Sequence, residues 1–287
     1  MLPEIQVLLY GRYMSNKKNR KIIGLLAGAG SLPIEFVRNQ ESNGIEEIAV
    51  LGFKGHTPEE VIEKATYYQE IGFGQLNKGI KFFTSHGVEE IVLLGWVEPK
   101  LTISNLKMDL RMISLAARTK DRRADSVLRA LINEAEKDGL TVLDNTLFLP
   151  HLLAQEGVLT KTKPSKQQLQ DIEFGKEIAL ASGGLDIGQT AIVNKHAVVA
   201  IEAMEGTDKC IKRAGKIIKD SVVVKMAKPE QDFRFDVPCF GPKTINSMVE
   251  AKCSVLAVEA EKTYILEREE TIRLANKNKI VILGIKR

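Results

Sequence analysis

The chain has 287 residues, 44% hydrophobic and 27% charged, a globular composition long enough for one large domain or two ordinary ones and unlike that of a disordered chain. Its 41 Lys and Arg against 37 Asp and Glu leave a net charge of +4. That excess is spread along the chain, which excludes a nucleic-acid binder that relies on a dense basic arm; anionic small molecules and anionic lipid surfaces remain as partners. The apolar runs, such as 22–27 and 91–95, fall far short of the roughly 20 residues a membrane-spanning helix needs. Cys210, Cys239 and Cys253 are an odd number without CxxC pairing. They read as free thiols in a reducing compartment, so the expected location is cytoplasmic.

Residues 1–20 carry no periodicity that fits the rest of the chain and read as a flexible leader. The organised chain begins at Lys21 with an apolar strand at 22–27, ended by Gly28-Ala29-Gly30, and Ser31 caps a helix over 32–42 that Asn43-Gly44 stops. A strand follows at 47–53. Thr57-Pro58-Glu59-Glu60 then has the order of a capping box. A helix at 75–86 leads to a strand at 90–97, helices at 106–118 and 122–137 follow, and a last strand lies at 140–144. This βαβ rhythm predicts a Rossmann-like α/β domain with a parallel sheet over 21–156. The polar, proline-containing stretch 157–165 reads as a linker. Beyond it a helix at 165–182 and a hairpin (190–193 and 197–204, turning at Asn194-Lys195) open a mixed α+β domain over 166–287, which ends in a strand at 280–285.

Two regions could carry chemistry. The turn Gly28-Ala29-Gly30-Ser31 offers backbone N–H groups beside a helix N-terminus, a setting that attracts phosphate. Pro33 stands where a dinucleotide fingerprint has its third glycine, and the second strand ends in Leu51-Gly52-Phe53 without an acidic residue, which disfavours a nicotinamide oxidoreductase. The second region is richer. Leu185–Gln189, Ile201–Asp208 and Lys225–Pro238 bring carboxylates at strand ends together with Lys225, Lys228 and Arg234. Hard oxygen ligands for Mg²⁺ and cations for a transferred phosphoryl group are what metal-assisted phosphoryl chemistry requires. Arg234 and Asp236 would share a face of an extended segment. His56, His86, His151 and His196 match no metal spacing and read as structural or surface residues. Trp96 reads as core or cleft wall and Cys239 as packing; Met108, Leu110, Met112 and Ile113 could face a lipid, with core packing the favoured reading. No Gly-x-Ser-x-Gly elbow is present.

Taken in order, Gly28–Pro33, Leu185–Gln189, Val199–Asp208, Lys225–Pro238 and Gly241–Ile245 make the chain resemble the LpxI-type UDP-2,3-diacylglucosamine pyrophosphatases of lipid A biosynthesis, from Lys21 to the C-terminus. It departs from that pattern in the leader and at Arg123-Ala124-Asp125, where only Asp125 matches a Gly-Asp-Asp-like stretch. The resemblance implies hydrolysis of UDP-2,3-diacylglucosamine to UMP and lipid X, with Mg²⁺ or alternatively Mn²⁺, in two domains that hold the substrate between them. It implies that Asp236 is needed for catalysis and that Asp236 and Asp232 serve the metal. Lys225, Lys228 and Arg234 are then expected at the pyrophosphate. Gln189, Glu205, Gly206, Thr207, Asp208 and Thr244 are expected to bind substrate, and Gly28, Gly30 and Ser31 to bind its UDP portion or phosphate without chemistry. It further implies peripheral association with the inner face of the cytoplasmic membrane, and a homodimer is expected from the frequency of that assembly. The competing reading is a non-hydrolytic protein that binds a nucleotide sugar or a lipid phosphate.

Overall fold

The computed structural model describes residues 20–96, 107–119 and 124–287. Residues 1–19 of the leader, Arg123, and the outer ends of the elements read at 90–97, 106–118 and 122–137 lie outside that set. The chain forms two compact units. The first runs to Leu149 and takes in Phe233–Phe235; the second comprises Pro150–Asp232 and Asp236–Arg287.

In the first unit the chain order is β1 (Arg20–Ala27), α1 (Ser31–Arg38), β2 (Ile45–Phe53), α2 (Glu59–Glu63), β3 (Tyr67–Ile71), α3 (Leu76–Ser85), β4 (Glu90–Leu94), α4 (Leu110–Arg118), α5 (Ala124–Glu136) and β5 (Thr141–Val142). The five strands form one sheet in the order β3-β2-β1-β4-β5, with every pairing parallel. The order reverses between β1 and β4, and in such sheets the crevice beyond the carboxyl ends at that point is the usual ligand position. Ile23, Leu25 and Ala27 of β1 are fully buried, as are Ile48, Ala49 and Val50 of β2, which is why these strands read as near-continuous apolar runs.

Two expectations fail here, and one strand goes unannounced by the sequence. Thr57 does not cap α2, whose N-cap is Pro58 without a side-chain hydrogen bond. Its hydroxyl instead donates to the Ala27 carbonyl at 2.7 Å and accepts from Phe53 N–H at 2.9 Å, tying the end of β2 to β1. Strand β3, with its exposed-intermediate pattern, has no apolar run to announce it. Of the residues expected in the core, Leu110 is 85% exposed and Ile113 is 47% exposed. They occupy the outer side of a helix whose N-cap is Asp109, accepting from Met112 N–H.

The second unit contains β6 (Gly157–Val158), α6 (Lys166–Gly184), β7 (Thr190–Asn194), β8 (Ala197–Ile201), α7 (Thr207–Ile217), β9 (Val222–Lys225), β10 (Cys239–Phe240), α8 (Pro242–Ala251), β11 (Val255–Glu259), β12 (Tyr264–Ile265), α9 (Arg268–Lys277) and β13 (Val281–Ile285). Six of these strands form a sheet in the order β6-β13-β11-β9-β7-β8, and β10 pairs with β12. The sheet is mixed: β9, β11 and β13 are parallel, while β6 and the β7–β8 hairpin run antiparallel to their neighbours. The stretch 157–165, read as a linker, thus contributes β6, and Leu159 N–H also donates to Ile282 O at 2.9 Å.

Strand alternation sorts this core into two layers. Val223, Leu256 and Ile282 pack with Ile211 of α7 and Ile245 and Met248 of α8. Val222, Val224, Ala257 and Val281 face Ile172 and Ala179 of α6 on the other side. Ser165 caps α6 in a full capping box with Gln168. The hairpin turns at Lys195 and His196, whose φ values are 48° and 60°. The buried Asp171 carboxylate holds that turn by accepting both backbone N–H groups at 2.9 Å, which offsets the left-handed strain.

Candidate active site

A cleft of about 1000 Å³ lies in the second unit, and its lining includes Gln189, Glu205–Lys209, Lys225, Asp236–Thr244 and Glu267. The fold explains its position. Lys225 ends β9, and the N-termini of α7 and α8 open onto the same space. Gly206 and Gly241 are their N-caps, neither of which supplies a side-chain hydrogen bond. Two uncapped helix starts place backbone donors and positive dipole ends at one cleft, a setting for anions.

The polar groups are linked to one another. Lys225 is 4% exposed and donates from Nζ to Thr207 Oγ1 at 3.0 Å. Thr244 donates from Oγ1 to Asp208 Oδ1 at 3.0 Å, joining the first turn of α7 to that of α8, and Lys243 Nζ lies 3.5 Å from Asp208 Oδ2. The Gln231 side-chain amide donates to both the backbone oxygen and Oδ2 of Asp236, while its own Oε1 accepts Lys228 N–H at 3.0 Å. Gln231 thus fixes the direction of the Asp236 carboxylate, a role the sequence reading missed although the residue stands inside the quoted motif. Lys225, Asp236 and Asp208 all lie within electrostatic reach of the Cys239 thiol. At the cleft rim Arg213 Nη2 donates to Glu205 Oε1 at 2.6 Å, which holds the Glu205 carboxyl below its ordinary range.

The structure therefore brings Gln189, Glu205, Gly206, Thr207, Asp208, Lys225, Asp236 and Thr244 to one cleft. Asp232 and Lys228 do not line it. Asp232 offers its backbone oxygen to Asp236 N–H at 2.9 Å, and Lys228 Nζ meets Asp186 Oδ1 at 2.9 Å. Arg234 departs most from expectation. Residues 233–235 form a turn instead of an extended segment, so the alternation that would have set Arg234 and Asp236 on one face does not apply. Arg234 belongs to the first unit, where its guanidinium lies 3.2 Å from Glu136.

Gly28, Gly30 and Ser31 also lie in the first unit, at the β1–β4 switch point. Two of the donors counted on for phosphate are already used: Gly28 N–H bonds Leu94 O and Ala29 N–H bonds Trp96 O, both at 2.8 Å. The N-terminus of α1, with Gly30 as N-cap, has no side-chain cap. Gly28 itself is required by packing, since a Cβ there would sit 2.7 Å from Trp96 O. Gly28→Ala is expected to destabilise by about 1–3 kcal/mol through overpacking, read as a lower melting temperature with full turnover per folded molecule. An unchanged melting temperature with a raised KM would make the turn functional instead.

Comparison with known proteins agrees with this architecture. Residues 22–152 match the family model of the LpxI N-terminal domain and residues 155–283 that of the LpxI C-terminal domain. The UDP-2,3-diacylglucosamine pyrophosphatase LpxI of Caulobacter vibrioides is 28% identical over 278 residues, spanning 92% of this chain and 97% of that protein. With both domains matched in order around the two sheets described above, the chain belongs to the LpxI family.

Proposed function

We propose that this chain hydrolyses the pyrophosphate bond of UDP-2,3-diacylglucosamine, giving UMP and 2,3-diacylglucosamine 1-phosphate (lipid X) in lipid A biosynthesis, with Mg²⁺. The observation that carries the reading is the cleft in which a buried ammonium, Lys225, meets two uncapped helix N-termini and the carboxylates of Asp236 and Asp208. The relative's name supplies the substrate.

Among the described residues, no group of three or more His, Cys, Asp or Glu could hold a metal ion, so this cleft is not an all-protein cage. Mg²⁺ ordinarily takes one or two carboxylates and completes its shell with waters and substrate phosphates. Asp236 and Asp208 fit that mode and would hold it. Bound there, the ion would neutralise phosphoryl charge and acidify a water.

The chain's own groups do the rest. The helix N-termini and Lys225 bind the pyrophosphate oxygens and stabilise the negative charge that builds on them. Asp236, aimed by Gln231, orients a water and takes its proton as the water oxygen bonds to phosphorus. The bond from that phosphorus to the bridging oxygen breaks, and its electron pair leaves with the oxygen. No helix among the described residues is long and apolar enough to cross a membrane. A substrate with two acyl chains resides in a bilayer, so the reading carries a cytoplasmic enzyme working peripherally at the inner face of the cytoplasmic membrane.

The test is direct. Protein, Mg²⁺ and UDP-2,3-diacylglucosamine should release UMP, EDTA should stop the release, and added Mg²⁺ should restore it. Substrate binding without UMP would leave a non-hydrolytic binder instead. Thiol labelling checks the location. Burial pushes all three thiols up, Cys210 to about 11 and Cys253 to about 12, but only the Cys239 residue is exposed, so iodoacetamide should alkylate Cys239 and spare the other two. UDP at saturating concentration should slow Cys239 labelling by about tenfold, since the thiol sits on the cleft wall and reacts only where accessible. Labelling that ignores UDP would place the nucleotide elsewhere.

A further inference from the structure

We propose that Glu202 is a positioning residue for Lys225, acting through Thr207; the inference rests on the cleft being the hydrolytic site. Glu202 follows β8 directly, and its N–H donates to Thr190 O at 2.9 Å. Thr190 in turn pairs with Lys225 across β7 and β9. Glu202 is only 9% exposed and is absent from the cleft lining, whereas Thr207 and Lys225 are both present there.

Hydrogen-bond chemistry fixes the order of this chain of groups. An ammonium has three donors and no acceptor, so Thr207 Oγ1 must accept from Lys225 at 3.0 Å. The single Thr207 hydroxyl hydrogen is then committed to Glu202 Oε1, 2.8 Å away. Glu202 therefore sets the direction of the Thr207 hydroxyl, and that direction holds the ammonium at the cleft floor.

The arrangement is costly to the fold. Glu202 Oε2 and Thr190 Oγ1 are buried and have no hydrogen-bond partner among the described residues, and an unsatisfied buried acceptor destabilises the folded state. Local rules are broken in this way chiefly where function compensates. A merely structural carboxylate would show the opposite balance, with its removal lowering stability and sparing turnover.

Steady-state kinetics and thermal melts on Glu202→Gln, Lys225→Met and the double variant test this. Glu202→Gln should lower kcat by about tenfold or more with KM within about twofold of the parent, the pattern of an interaction lost from the transition state. Its melting temperature should stay level or rise. In the Lys225→Met background Glu202→Gln should add no further loss, because its effect passes through that lysine. Full kcat in Glu202→Gln, or losses that multiply in the double variant, would overturn the proposal. Should Glu202→Gln fail to fold, Thr207→Val and Thr207→Ser decide it. Thr207→Ser must keep more kcat than Thr207→Val, and the loss in Thr207→Val must vanish on Lys225→Met; otherwise the proposal fails. If Lys225→Met itself turns over normally, the cleft reading falls and takes this inference with it. Loss in Lys225→Met beside an unaffected Glu202→Gln overturns this inference alone.

Discussion

Asp236→Ala is expected to fold, retain substrate and lose turnover by about 10³-fold or more, the scale of removing a group on which the chemical step depends. The carboxylate lines the cleft, and its orientation is set twice over. Gln231 donates to its Oδ2 and to its backbone oxygen, while its N–H closes a turn onto Asp232 O at 2.9 Å. A side chain held in this way loses little freedom when a water and a metal ion are positioned against it, which is how preorganisation lowers a barrier. The remaining cleft, including Lys225 and both helix N-termini, stays intact in the variant. Substrate should therefore still bind and accompany the protein through purification. Asp236→Asn isolates the charge, because its shape is nearly unchanged and its amide can neither ligate a hard cation as well nor accept the water's proton. A structural role predicts a lower melting temperature in both variants and substantial residual UMP release. Turnover and melting measured on the same samples separate the two, and an active Asp236→Ala would remove the centre of the proposed mechanism.

Much of the fold was legible because periodicity and punctuation agreed. The buried parallel strands β1, β2 and β4, the helix expected at 165–182 and the hairpin at 190–204 were all local signals, and the structure realises each within a few residues of its expected bounds. Failures came where a long-range partner outcompeted a local one. Thr57 has the spacing of an N-cap, yet the Ala27 carbonyl takes its hydroxyl. The hairpin tolerates Lys195 and His196 at positive φ because Asp171, some two dozen residues earlier, holds their N–H groups.

The site divides in the same way. Residues at the carboxyl end of β9 and the starts of α7 and α8 could be gathered from motif grammar, since strand ends and helix starts converge on one edge of the sheet. Arg234 could not be placed. The alternation of an extended segment was the argument for setting it beside Asp236, and residues 233–235 form a turn instead. Gln231 and the Thr244–Asp208 link depend on side chains meeting in space, which spacing along the chain does not encode.

Lys225→Met is expected to lower kcat/KM by about 10²-fold or more, the order found when a charge-assisted contact to a transition state is removed. The three cations read together in the sequence are unequal in the structure, and this variant exposes the difference. Lys225 is buried at 4% exposure and ends a strand whose four residues are all buried, so its charge acts with little screening by water. Lys228 is engaged by Asp186 and Arg234 by Glu136, both outside the cleft lining. Lys228→Ala and Arg234→Ala should each change kcat/KM by less than about tenfold, as pairs on a partly solvated surface do. Met matches the length of the lysine stem and needs no hydrogen bond, but removing one charge of a buried network leaves the Glu202 carboxylate uncompensated, which costs stability. Lys225→Met should thus melt below the parent temperature, and its loss of kcat/KM is read per folded molecule. Steady-state kinetics on the three variants, with melts on the first, make the comparison. Comparable losses at all three positions would mean that Lys228 and Arg234 also reach the pyrophosphate. A loss confined to Lys225 would assign the transition-state charge to the one lysine that the sheet itself buries at the cleft.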